Sequence, residues 1–190
     1  RGARRLGVKH RAAPAASSSR TTARTAPARS LRGVPRQLYL DCDGVLADFD
    51  RGAAAVFGMP PQQYEQRFGR GRFWKQLAAT PDFFEGLPLM PDAMELFDAV
   101  RACDPIILTG LPLGKWAAPQ KVRWAATHFP GTRIITTMAR NKRDYANPGD
   151  VLVDDRLTHR HLWEEAGGVF VHHTSAASTI EALSDYFPLG

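Results

Sequence analysis
At 190 residues, 44% of them hydrophobic, the chain can form one domain with a true core, or one domain carrying a small insertion. No apolar run approaches the ~18 residues that a membrane span requires, and two cysteines, Cys42 and Cys103, are too few for a disulfide framework. The net charge of +6 suggests a polyanion binder, but residues 1–40 hold ten Lys/Arg and no acid, whereas residues 41–190 hold fifteen Lys/Arg against nineteen Asp/Glu and carry −4.

In chain order, residues 1–36 are rich in Arg, Ala, Ser, Thr and Pro and lack a sustained apolar period. Such a segment cannot bury enough surface to offset its ordering entropy, so a disordered basic extension is expected. Its composition suits a transit peptide, a nucleic-acid or membrane-surface arm, or a dispensable extension. It has no signal-peptide apolar core, which disfavours secretion. A cytoplasmic setting is expected, or an organellar one if the segment is a transit peptide.

Residues 37–190 alternate short apolar runs with helical periods. Leu38–Asp41 reads as a strand. Residues 52–104 read as helical, with breaks near Gly58-Met59-Pro60-Pro61, Thr80-Pro81 and Pro88–Pro91, and are long enough for a small helical cap. Ile106-Ile107-Leu108 reads as a strand closing at Thr109-Gly110. Residues 118–129 read as a helix with Val122, Ala125, Ala126 and Phe129 on its apolar side. Strands at Arg133–Thr136, Val151–Val153 and Val169–Val171 follow, with helices over 157–166 and 176–186. This alternation predicts parallel pairing and a three-layer α/β/α sandwich, with the cap inserted after the first strand.

Residues 41–50 read Asp-Cys-Asp-Gly-Val-Leu-Ala-Asp-Phe-Asp. Side chains alternate along a strand, so Asp41 and Asp43 share a side and Cys42 turns into the core as a small hydrophobe. Two carboxylates this close repel each other unless a cation or a shared proton intervenes. Thr109 and Asp154-Asp155 close two further strands. Ligands of open α/β sheets bind at the carboxyl ends of strands, so these distant residues are expected to converge. His159, His161, His172 and His173 offer no soft-metal set, since neighbours along a helix or strand point apart.

With these residues in place, the layout resembles the haloacid dehalogenase superfamily of phosphohydrolases. Its four motifs correspond to Asp41-Cys42-Asp43-Gly44-Val45, Thr109, a lysine upstream of the last motif, and Asp154-Asp155. Within it, residues 41–50, Phe73-Trp74 and Asp82-Phe83-Phe84-Glu85 most resemble the 5′(3′)-deoxyribonucleotidases. The resemblance implies Mg²⁺-dependent phosphomonoester hydrolysis through an aspartyl-phosphate on Asp41, with Asp43 as general acid and base. Asp41, the backbone carbonyl of Asp43 and Asp154 are the implied Mg²⁺ ligands. Thr109 and Gly110 would hold the phosphoryl oxygens, and Lys142 would neutralise charge there, with Lys121 as the competing lysine. Asp155 would support Lys142 or the phosphate loop. Phe49, Phe73, Trp74 and Phe84 would line a base pocket.

The expected partner is therefore a small phosphate ester, a (deoxy)nucleoside monophosphate first. Another small ester and a non-catalytic phosphate- or nucleic-acid-binding module are the alternatives. No membrane partner is expected, nucleic acid is disfavoured, and a homodimer is left open.

Overall fold
The computed structural model describes residues 36–189, so the expectation for the N-terminal extension falls, but for Arg36, outside the described residues. The strands are β1 (Leu38–Leu40), β2 (Ile106–Gly110), β3 (Ile134–Thr137), β4 (Val151–Asp154) and β5 (Val169–His172). They form one sheet in the order β3-β2-β1-β4-β5, and every pairing is parallel. β1 is central: Tyr39 pairs with Ile106 on one side and Leu152 on the other. Its three residues are all buried and apolar, as a parallel strand covered on both faces requires.

Strand alternation divides the core between the two faces. Leu38, Leu40, Ile107, Val151 and Val153 join one cluster with α4 (Ala93–Val100), α5 (Ala117–His128) and α7 (Ala176–Leu183). Tyr39, Ile106, Leu108 and Leu152 face the other way, onto Trp163 of α6 (Arg160–Glu165). Two cores on opposite faces of a parallel sheet make the three-layer α/β/α sandwich expected from the sequence.

Between β1 and β2 lie α1 (Phe49–Phe57), α2 (Pro61–Phe68), α3 (Arg70–Ala79) and α4. Asp48 caps α1 by accepting from Arg51 N–H at 3.0 Å, and α2 opens on Pro61, whose missing N–H costs nothing in a first turn. The first three helices share an aromatic core in which Phe57 stacks on Tyr64 at 4.0 Å and tilts against Phe73 at 4.9 Å. α4 packs elsewhere. Phe97 meets Phe129 at 4.5 Å, Ala176 N–H donates to Asp92 at 2.6 Å, and α4 lies against α7. The helical cover over the strand tips is therefore α1–α3 with the turns through Gly86, shorter than the 52–104 anticipated.

The face of α5 also differs from expectation. Val122 and Ala126 are exposed, and the buried side consists of Ala117, Lys121, Trp124 and Ala125. Apolar periodicity missed this because it assigns every lysine to solvent; here the ammonium has buried partners. Among the described residues no helix is long and apolar enough to cross a membrane.

Candidate active site
Beyond Leu40, Asp41 N–H still donates to Val153 O at 2.8 Å, so the pairing of β1 with β4 runs one residue past the strand. The chain then turns sharply: the N–H groups of Leu46 and Ala47 both reach Cys42 O at 2.8 Å. Gly44 makes the turn at φ +79°, where a Cβ would lie 2.4 Å from the Asp155 carboxyl carbon. Only glycine fits both the backbone and that approach. Cys42 points into the core between the two aspartates, and burial pushes its thiol pKa up, which keeps it inert.

Two buried lysines divide the carboxylates between them. Lys142 comes from a 3₁₀ stretch, Ala139–Tyr145, that periodicity did not anticipate. Its Nζ stands 3.0 Å from Asp41 Oδ1 and 2.7 Å from Asp154 Oδ2. Burial alone would lower its pKa, but the two carboxylates outweigh burial and hold it above the ordinary value. Lys121, only 1% exposed, donates to Asp43 Oδ2 at 2.6 Å and to Thr109 Oγ1 at 2.9 Å. Its Nζ also lies 4.4 Å from the centroid of the Phe84 ring. Both lysines of the sequence reading thus meet at the strand tips, on different aspartates.

Asp41 Oδ1 also accepts from Cys42 N–H at 2.7 Å, which leaves Oδ2 without a hydrogen bond among the described residues. Burial raises the pKa of Asp43, opposed by Lys121. Burial and the charge of Asp41 raise Asp154, opposed by Lys142. Asp155 is pushed up to about 7 by burial and by the charges of Asp41 and Asp154. Burial is the first cause of all three shifts, and the charge balance adds to it: four carboxylates face two ammoniums, an excess of two negative charges when all six are ionised.

That excess suits a divalent cation. Asp41, Asp154 and Asp155 each offer a carboxylate oxygen, and these lie within 4.8 Å of one another. Asp155 Oδ1 is buried with no hydrogen-bond partner, as is Asp43 Oδ1, so each can accept a ligand bond without breaking another contact. An all-oxygen donor set fits a hard ion of the Mg²⁺ kind. The carboxylate of Asp43 turns Oδ2 to Lys121, and Asp155 joins Asp41 and Asp154 as the third carboxylate of the group. From the sequence Asp155 was assigned only a supporting role. No chain pattern separates two adjacent aspartates; the reach of Asp155 across to Gly44 does.

A cavity of about 310 Å³ opens beside Asp43, Gly44 and Asp155. Of the four aromatics assigned to a base pocket, only Phe49 lines it; the remaining wall combines Asp48, Asp50, Gln62 and Arg156 with the apolar Met90. Phe73 and Phe84 are buried in the cap, where ring packing holds them, and Trp74 sits half-buried against Phe49 at 6.0 Å. Gly110 pairs with Thr137 at the end of β2, and its Cα lies close under Ala139, where a Cβ would come within 3.2 Å of that side chain. Arg156 went unnoticed in the sequence although it directly follows the aspartate pair. It lines the cavity, and its N–H holds Asp154 Oδ1 at 2.8 Å.

No family model matches the chain, and no curated protein sequence matches it significantly. Solved structures similar to it include three hydrolases or phosphatases. One is a hydrolase from Streptococcus pneumoniae TIGR4, with 14% identity, TM-score 0.49, and 80% of this chain and 100% of that chain covered. Another, from Burkholderia xenovorans LB400, is described as a haloacid dehalogenase-like hydrolase, with 15% identity, TM-score 0.45, and 82% and 92% covered. The third, from Lactobacillus plantarum, is described as a phosphoglycolate phosphatase, with 14% identity, TM-score 0.45, and 82% and 92% covered.

Proposed function
We propose that the chain is a Mg²⁺-dependent phosphomonoester hydrolase of the haloacid dehalogenase type. The observation that carries this reading is the meeting of Asp41, Asp154 and Asp155 around one point, with Lys142 bridging two of them. The carboxylates come from the C-terminal ends of two strands more than a hundred residues apart. A purely structural cluster has no use for an unbalanced buried charge of this size.

In this reading Asp41 attacks phosphorus through Oδ2, since Oδ1 is held by Cys42 N–H and Lys142. The new bond joins Asp41 to phosphorus, and the bond from phosphorus to the ester oxygen breaks. Asp43 donates a proton to the departing oxygen, and then takes one from the water that releases phosphate from Asp41. Lys121 orients Asp43, and burial, which raises the pKa of that carboxyl, favours the protonated form the first step needs. Lys142 offsets the negative charge that gathers when a carboxylate meets a phosphate. Asp41, Asp154 and Asp155 would hold Mg²⁺, which when bound neutralises phosphoryl oxygen charge.

A (deoxy)nucleoside monophosphate is the proposed substrate, supported by Phe49 on the cavity wall and by the likeness of residues 41–50, Phe73-Trp74 and Phe83-Phe84-Glu85 to deoxyribonucleotidases. The polar lining from Asp48, Asp50, Gln62 and Arg156 favours a second reading, a smaller polar ester. Hydrolysis of a panel of nucleotides and sugar phosphates with Mg²⁺ decides between them. Asp41→Asn is expected to abolish turnover while preserving the fold. Retained activity in that variant would overturn the mechanism, and sugar phosphates turning over as well as deoxynucleotides would overturn the nucleotide assignment.

A further inference from the structure
Phe84 faces Lys121 rather than the cavity. An ammonium has three N–H donors. Two of those on Lys121 reach oxygens, Asp43 Oδ2 and Thr109 Oγ1, and the Phe84 ring covers the ammonium at 4.4 Å. The negative face of an aromatic ring attracts a cation, most strongly where water is excluded. Lys121 and Phe84 are each 1% exposed, so this contact is dry.

Phe84 belongs to the segment 82–87, the last turns of the helical cover, and that segment is fastened along α5. Phe84 N–H donates to Gln120 Oε1 at 2.9 Å, and Trp124 Nε1 donates to Leu87 O at 2.8 Å. Arg123 pairs with Glu85 at 2.6 Å. Trp124 lies four residues from Gln120 and three from Lys121, so it neighbours both on the helix surface. One helical face therefore both grips the cover and carries the lysine that holds Asp43.

Resting on the phosphohydrolase reading above, we propose that Phe84 is a positioning residue: docked on α5, its ring fixes the Lys121 ammonium against Asp43 and Thr109, and so couples the seating of the cover to proton donation by Asp43. An undocked segment would leave the ammonium without its third contact and free to drift from Asp43. Phe84 touches no substrate in this account, unlike the base-pocket role that its sequence neighbourhood implied.

Phe84→Leu keeps an apolar side chain but removes the ring face. The leaving oxygen of an alkyl phosphate needs the Asp43 proton; p-nitrophenolate departs without one. For the best alkyl ester of the panel, kcat is expected to fall about tenfold at unchanged KM. On p-nitrophenyl phosphate the pre-steady-state burst of p-nitrophenolate, which reads transfer to Asp41 before the water step that also uses Asp43, should stay within about twofold. A burst slowed as much as the alkyl ester, or a rise in KM alone, would overturn the proposal. If Phe84→Leu does not fold, Gln120→Ala, which frees the Phe84 backbone, is expected to give the same split between substrates.

An activity-independent readout comes from NMR of lysine-labelled protein. The wild type should show one lysine Cε methylene shifted upfield by the ring, and the shift should vanish in Phe84→Leu. No shifted methylene in the wild type would sink the contact whatever the kinetics. A shifted methylene in a protein with no Asp41-dependent hydrolysis would uphold the contact and fail the phosphohydrolase reading instead.

Discussion

Replacing Gly44 with alanine tests the geometry of the carboxylate group with a single methyl. Gly44 sits at φ +79°, and the added Cβ would lie 2.4 Å from both the carboxyl carbon and Oδ2 of Asp155. The left-handed backbone costs an L-residue about 1–2 kcal/mol. Forcing an atom into a packed site costs about 1–3 kcal/mol more, so the total is about 2–5 kcal/mol. For a chain of this size that corresponds to a melting temperature lower by roughly 5–15 °C. Gly58→Ala is the control: φ is +68° there, but nothing lies within 4 Å of the new methyl, so only the backbone cost applies. The assay is thermal melting of wild type and both variants, in chelator and in Mg²⁺. At a hundred times its dissociation constant the ion should stabilise the wild type by about 2.7 kcal/mol. That gain should survive Gly58→Ala and shrink in Gly44→Ala, because the methyl displaces Asp155 from the group. A Gly44→Ala protein that melts with the Gly58→Ala control and keeps the full Mg²⁺ gain would refute the reasoning.

Lys142→Met removes the cation between Asp41 and Asp154; kcat is expected to drop on the order of 10²–10³-fold, as for loss of other groups that stabilise transition-state charge. Steady-state kinetics within fivefold of wild type would count against its role. Asp155→Asn should raise the stability of the metal-free protein at pH 7.5. The folded-state pKa of Asp155, about 7, lies above the usual carboxylate value, so the fold binds that proton more tightly than the unfolded chain and loses stability as pH rises from ~4 to ~7. Discounted for partial solvent exposure, the gain is about 1–2 kcal/mol, read from denaturant melts at pH 5 and 7.5 in chelator. The same variant should lose most of its Mg²⁺ stabilisation. His173 is buried against Thr179 Oγ1 at 2.8 Å, and burial lowers its pKa. Its contribution to stability is therefore full above the ordinary histidine value of about 6.5 and is lost as pH falls from there through the lower folded-state value. Melts of His173→Gln should be flatter between pH 7.5 and 5.5 than those of wild type.

Much of the site could be read from the chain because strand tips obey local rules. A run of three or four apolar residues ending in Asp or Thr announces both a buried parallel strand and the polar group it presents, and Gly44 announces the turn between them. Side-chain alternation likewise separates Cys42 from its flanking aspartates. These features depend on neighbours one or two residues away, so the place of Asp41, Asp43, Thr109 and Asp154 at the strand ends could be read without coordinates. The sheet class followed from the same local runs.

What lay beyond the sequence was pairing across distance. The lysine that meets a given aspartate depends on how α5 is rotated and where the Ala139–Tyr145 stretch rests, contacts that join residues 78 and 12 positions apart. Apolar periodicity rotated α5 toward Val122, since it counts a lysine as solvated; the folded chain buries Lys121 because two oxygens and a ring receive its charge. Composition could say that Phe73 and Phe84 are hydrophobic, but the choice between core and cavity wall belongs to the packing of α1–α3 and the segment that follows them. Local backbone preference acts through adjacent residues and is written into the order of amino acids. Charge neutralisation and ring packing act through space, and only the assembled fold brings their partners together.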